Sequence, residues 1–224
     1  YRESDRVLTL LTPGRGRVEV LARGCRKAKS PLLAACELFT LGEYVLFKGK
    51  GHETLTSCQV TDSFYSIRTD YERLSLASIM LSAAEMTAQP EQEQPHLMIL
   101  LVRSLTRLSE GTFHPEAVLA AYLLHFAALQ GVKPRLNHCV VCQEPMAPGA
   151  SARLDSAAGG LVCRRCAGES PGGTPLDGET IQWLRQVLAH GIEKTGDTLA
   201  RYPVLALKRY VEYALDRRLP RLPE

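Results

Sequence analysis

Four of the seven cysteines fall into two Cys-x-x-Cys pairs, Cys139 with Cys142 and Cys163 with Cys166, and this is the strongest chemical signal in the chain. A Cys-x-x-Cys turn aims two thiolates at one point. The twenty residues between the pairs are enough to bring the second turn across, which gives the tetrahedral sulfur set that zinc accepts. Four sulfur ligands leave no open position for water, so one structural zinc is expected and not a catalytic one. Tetrahedral iron accepts the same ligands, a pair of redox dithiols is the metal-free alternative, and His138 could replace a sulfur. The segment from Asn137 to Cys166 is rich in Pro, Gly, Ala and Ser and is expected to form little core of its own, so that a metal would supply its folding energy. Cys25, Cys36 and Cys58 lack any such spacing and read as buried, inert thiols.

A second signal is charge. Between Arg15 and Lys29 lie six basic residues, Arg15, Arg17, Arg23, Arg26, Lys27 and Lys29, against one acid, Glu19. Displayed beside a small barrel they would neutralise phosphates and release counterions, the source of affinity in sequence-independent nucleic-acid binding. Lys48 and Lys50, in a glycine-flanked loop, extend the candidate surface. The plainer reading of the same residues is a solvated loop. Support from aromatic stacking is thin, because Phe39, Tyr44 and Phe47 read as core.

Other chemistries lack their residues. Gly49-Lys50-Gly51-His52 is not the glycine-rich loop ending in Gly-Lys-Ser/Thr that cradles nucleotide phosphates, and neither HExxH nor GxSxG occurs. The six histidines are scattered, with His125 placed in or on a helix. An enzyme is not expected.

The elements that must position these residues have two textures. Val7 to Thr12, Arg17 to Arg23, Leu38 to Lys48 and His52 to Val60 are short runs rich in Val, Leu, Thr, Tyr and Phe, punctuated at Pro13-Gly14 and at Gly49-Lys50-Gly51. Four such strands suit a small antiparallel barrel of the oligonucleotide-binding (OB) type, among other small barrels. Helical spacing then takes over, at about Asp70 to Ala88, Pro95 to Leu108, Pro115 to Gly131, Gly178 to Lys194 and Tyr202 to Arg218. The third of these is apolar almost all round and should be central to a bundle. The expected class is α+β, with an OB-type barrel over 1–66, a helical domain over 67–224 and a zinc module inserted at 137–168.

With 224 residues, 45% hydrophobic and 23% charged, the composition is that of an ordinary globular protein. No apolar run approaches the roughly 18 residues of a membrane span. The polar opening Tyr1-Arg2-Glu3-Ser4-Asp5-Arg6 does not read as a signal peptide, and the odd cysteine count points to reduced thiols in a cytoplasmic setting.

At this point the residues resemble a known family, the bacterial RecO recombination mediators. Tyr1-Arg2-Glu3-Ser4-Asp5-Arg6-Val7-Leu8-Thr9-Leu10-Leu11-Thr12 looks like that family's usual start, and Ala22-Arg23-Gly24-Cys25-Arg26-Lys27-Ala28-Lys29-Ser30 is similar to its basic segment. The order of barrel, helices, two Cys-x-x-Cys pairs and closing helices matches along essentially the whole chain. The resemblance implies binding of single- and double-stranded DNA, annealing of complementary strands, and partnership with RecR and single-stranded-DNA-binding protein in loading RecA at gaps. It also implies one more strand upstream of Tyr1. The competing reading from the residues is a zinc-ribbon adaptor whose basic segment is only surface, and a hydrolase in the helical half has no candidate nucleophile.

Overall fold

The structure, a computed structural model, describes residues 3–49, 51, 53–169 and 172–223. Lys50, one of the candidate DNA-binding residues, lies outside them. The sequence alternation of the first part becomes four strands, β1 (Arg6–Thr12), β2 (Gly16–Ala22), β3 (Leu41–Phe47) and β4 (Glu53–Asp62). They form one sheet in the order β1-β2-β4-β3, antiparallel except where β2 meets β4. The period of two sorts the side chains by face. Ala22, Leu55, Leu8, Leu46 and Tyr44 turn inward and pack with Cys25, Leu32, Ala35 and Cys36 into a small core of their own. This is the OB-like sheet domain of an α+β fold. Among the described residues, β1 and β3 are the sheet's two edges.

A short helix, α1 (Tyr65–Arg68), leads into α2 (Tyr71–Thr87), α3 (Pro95–Glu110) and α4 (Pro115–Leu129). Their starts follow local chemistry. The Asp70 carboxylate accepts the Arg73 amide at 3.0 Å, and Pro95 and Pro115 occupy first-turn positions where a missing amide donor costs nothing. α4 is buried on every side, as its all-round apolar sequence requires, and the Tyr122 hydroxyl satisfies itself on the Met80 carbonyl at 2.9 Å.

The cysteine segment departs from expectation. It contains two strands, β5 (Ala152–Asp155) and β6 (Gly160–Cys163), and a third just beyond it, β7 (Thr174–Leu176), completes an antiparallel sheet in the order β6-β5-β7. The segment is more ordered than a loop, yet it builds no separate core of its own. Leu154, Leu161, Val162, Met146 and Leu176 are buried in the same cluster as α4 and the closing helices. Leu161 and Val162, adjacent on β6 and both buried, supply with Leu154 of β5 the burial that the loop's Pro and Gly content conceals. Gly160 is required there, because a Cβ would stand 2.5 Å from the Arg135 carbonyl oxygen.

The closing helices are also shorter than their periodicity suggests. α5 (Gly178–His190) stops at Gly191, whose φ of 78° breaks the helix before α6 (Ile192–Thr195). The last helix, α7 (Val204–Ala214), ends well before Arg217, so Arg217, Arg218 and Arg221 lie beyond its final turn. Beyond it the Leu219 amide donates to Glu212 at 2.8 Å, and the same carboxylate oxygen is paired with Lys208 at 2.7 Å.

Sheet and helices are joined at the β1–β2 turn. Backbone bonds run from Arg17 N to Gln89 O, from Glu91 N to Arg15 O and from Gln94 N to Pro13 O, at 3.1, 2.9 and 3.0 Å. Gly16, at φ 60°, lies so close to the Gln89 and Gln92 carbonyls that no Cβ fits. The turn thus fixes the orientation of the sheet relative to α2 and α3. No helix of the described residues is long and apolar enough to cross a membrane.

Candidate metal centre and nucleic-acid interface

The two Cys-x-x-Cys turns meet. All four Sγ atoms of Cys139, Cys142, Cys163 and Cys166 lie within 4.8 Å of one another, with Cys142 and Cys163 3.9 Å apart. A sulfur tetrahedron around zinc, at about 2.3 Å per bond, has edges of about 3.8 Å. The cluster therefore fits a four-coordinate ion.

Backbone bonding builds each half. Cys139 N donates to Glu144 O, Gln143 N returns to Cys139 O, and Met146 N reaches Asn137 O, each at 2.9 Å, which closes the first turn on itself. Val140 N donates to Leu161 O at 2.8 Å and ties that turn to β6, whose last residue is Cys163. A 3-10 turn, Arg164–Glu169, then places Cys166. Arg185 of α5 holds the Leu136 carbonyl with two guanidinium bonds of 3.0 and 2.7 Å and so anchors the approach.

The electrostatics fit a cation as well. Burial pushes the Cys139 thiol up, but the Cys163 amide, 3.3 Å from Cys139 Sγ, together with the amides of Cys142 and Val141, outweighs burial and holds it down at about 6. Cys166 is pushed up to about 12 by burial and by the neighbouring Cys163, Cys142 and Cys139 sulfurs. The site favours a first thiolate and resists a fourth, a balance that a divalent ion reverses. Arg165, outside the cluster, pairs with Glu144 at 2.7 Å where both side chains are exposed, a contact of little energetic weight.

The basic candidates divide. Arg23, Arg26, Lys27 and Lys29 are exposed in the loop after β2, and Lys48 is exposed just after β3. Among the described residues no ion pair engages them. The loop is nevertheless held in place. Gly24 N donates to Asp5 at 2.8 Å, Arg26 N donates to Ser4 O at 3.1 Å, and Cys25 is fully buried beneath.

Arg15 is different, because its guanidinium is held by Glu53 at 3.0 and 2.8 Å and by Glu91 at 2.9 Å. Its charge joins sheet to helices, and the bond it makes holds the Glu53 carboxyl below the usual carboxylate range. Those acids stand 38 and 76 residues away in sequence, so no local pattern could have revealed them. Arg17 lies 3.9 Å from Glu19.

The three aromatics read as core also divide. Phe39 is buried against the helical core, and Tyr44 is half-buried with its hydroxyl on the Ala35 and Thr40 carbonyls at 3.0 and 3.2 Å. Phe47 is instead 64% exposed. Strand period carries the reason, since Tyr44 and Leu46 take the inner face and leave Val45 and Phe47 outside.

Comparison with known proteins settles the family. The family pattern described as Recombination protein O N terminal matches residues 1–64, and that described as Recombination protein O C terminal matches residues 68–224. The chain belongs to the RecO family. It is 31% identical over 223 residues to the DNA repair protein RecO of Alkaliphilus metalliredigens, covering 97% of this chain and 89% of that one. It is 32% identical over 227 residues to the DNA repair protein RecO of Desulfitobacterium hafniense, with coverage of 98% and 82%. It is 32% identical over 189 residues to the DNA repair protein RecO of a Nocardioides strain, covering 84% of this chain and 77% of that one. RecO proteins are non-enzymatic mediators of DNA repair and recombination. The four-cysteine cluster is consistent with zinc binding.

Proposed function

We propose that this RecO-family chain binds single- and double-stranded DNA, anneals complementary strands without nucleotide hydrolysis and, with RecR, helps load RecA on strands coated by single-stranded-DNA-binding protein. In this reading the sheet domain, 1–66, carries the DNA surface. The helical domain, 67–224, carries one structural zinc held by Cys139, Cys142, Cys163 and Cys166 in a module over 137–168. The bacterial cytoplasm, at the nucleoid, is the expected setting.

The observation that carries the DNA reading is the loop of Arg23, Arg26, Lys27 and Lys29, exposed and engaged by no ion pair among the described residues. Cations left without acidic partners remain available to phosphates, and the counterions they release drive binding. Lys48 and Lys50 extend the proposed surface, while Arg15 and Arg17, standing against Glu53, Glu91 and Glu19, are secondary to it. Annealing then needs no fuel. A protein that screens phosphates on two strands lowers their repulsion, and base pairing supplies about 1.4 kcal/mol per step. Zinc in this scheme supplies no reaction step. It would fix the turn geometry that seats the module on the helical core.

Equilibrium binding of a labelled single-stranded oligonucleotide over a range of salt tests this reading. The expected result is retention at moderate salt with a linear fall of log affinity against log salt. No retention at any salt would make the zinc module an adaptor and the basic loop mere surface.

A further inference from the structure

The outer face of the sheet carries one row, apolar except for Thr54, that the core does not use. Val7 of β1 is aligned with Leu21 of β2, Leu21 with Thr54 of β4, and Thr54 with Phe47 of β3. Residues aligned across neighbouring strands point to the same face. Phe47 is 64% exposed, its neighbour Val45 57% and Val7 45%. Both ends of the row carry cations, with Lys48 also acting on Glu53 and Glu91 nearby. β2 ends one residue past Leu21 and runs directly into Arg23 and the Arg26, Lys27 and Lys29 loop, while β3 ends at Phe47 itself and is followed by Lys48.

We propose that this row is a base-stacking track for single-stranded DNA, with Phe47 as its stacking residue and the flanking cations as its phosphate contacts. The inference rests on the DNA reading above and deepens it, because it states how the surface distinguishes unpaired from paired strands. Charge complementarity selects the occupant: an apolar protein segment would gain nothing from the basic flanks, whereas a single strand offers bases and phosphates side by side. Every base presents a flat face to an exposed ring, so stacking is tolerant of sequence. Bases inside a duplex are stacked on each other and cannot use the ring. The basic flanks serve both kinds of DNA, and Phe47 serves only one.

The test compares Phe47→Ala, Phe47→Trp and the unchanged full chain on a single-stranded oligonucleotide and on a blunt duplex of the same length. Phe47→Ala is expected to weaken single-strand binding about 5- to 150-fold, leave duplex binding within twofold, and leave the salt slope unchanged because no phosphate contact is lost. Phe47→Trp should restore affinity. Its new indole should be quenched by single strands and not by duplex, a signal readable because the chain's one tryptophan, Trp183, is only 2% exposed. Equal weakening on both kinds of DNA, or no weakening while reversal of Arg23, Arg26 and Lys27 to Glu does weaken binding, overturns the stacking track and leaves the DNA surface standing. If neither set of changes alters binding, the surface itself is misplaced and the track falls with it.

Discussion

Stripping the metal from the purified protein is expected to release the segment from Asn137 to Leu176 and to lower the melting temperature of the helical domain by about 10–20 °C. The four clustered sulfurs, once ligated, would hold that segment at one end, and its buried Leu154, Leu161, Val162 and Leu176 share a core with α4 and α5, so the two would not come apart independently. Structural zinc in isolated finger peptides is worth about 10–16 kcal/mol. Here apolar packing retains part of the fold, and a net loss of about 5 kcal/mol corresponds to a shift of that size in a domain of this length. The sheet, with its own small core around Leu55, Cys25 and Cys36, should keep its amide protection. Hydrogen exchange before and after chelation measures both halves of this expectation. Cys142→Ser should reproduce the effect and Cys58→Ser should not. Unchanged protection over the module after complete metal removal would show that packing alone holds it.

The other large effect concerns DNA. Reversing Arg23, Arg26 and Lys27 to Glu is expected to weaken binding to single strands about 100-fold at 0.1 M salt, equally for all sequences. Each phosphate contact releases about 0.7 counterion, a factor of about 5 at that salt, and the log–log slope should flatten by about two. The three side chains are exposed and make no ion pair among the described residues, so the fold should survive. A variant with wild-type affinity and slope would move the DNA surface elsewhere, with the exposed Arg217, Arg218 and Arg221 the next candidates. Reversing Arg15 would not be a clean substitute, because its bonds to Glu53 and Glu91 join the sheet to the helices.

The elements legible in the sequence were those whose pattern repeats several times. Four alternating strands and the helices at Tyr71–Thr87, Pro95–Glu110 and Pro115–Leu129 appear close to where periodicity put them, helped at their starts by Asp70, Pro95 and Pro115. The Cys-x-x-Cys pairs were legible because ligand spacing is a local property, and the structure brings all four sulfurs together. Strands of three or four residues such as Thr174–Leu176 are too short to show a period, and their sheet exists because it packs on a helix distant in sequence. The order β1-β2-β4-β3 and the acids around Arg15 are tertiary facts with no local trace. Phe47 was misread for a different reason. An aromatic in a strand reads as core until the phase of its neighbours Tyr44 and Leu46 is counted. Gly191 carried the signal for the break after α5, which helical periodicity on both sides masked.

In the proposed function this chain pairs DNA strands by screening phosphates and consumes no nucleotide. A strand-pairing time course on complementary oligonucleotides coated with the cognate single-stranded-DNA-binding protein tests it directly, run with and without ATP and with the Arg23, Arg26 and Lys27 reversal alongside. Coating blocks pairing, and relieving that block requires contact with the coating protein as well as with DNA. Rapid pairing by the unchanged protein at the same rate with and without ATP, together with slow pairing by the reversed variant, is the expected result. Pairing that depends on ATP, or coated strands that stay unpaired at every concentration of this protein, would contradict it.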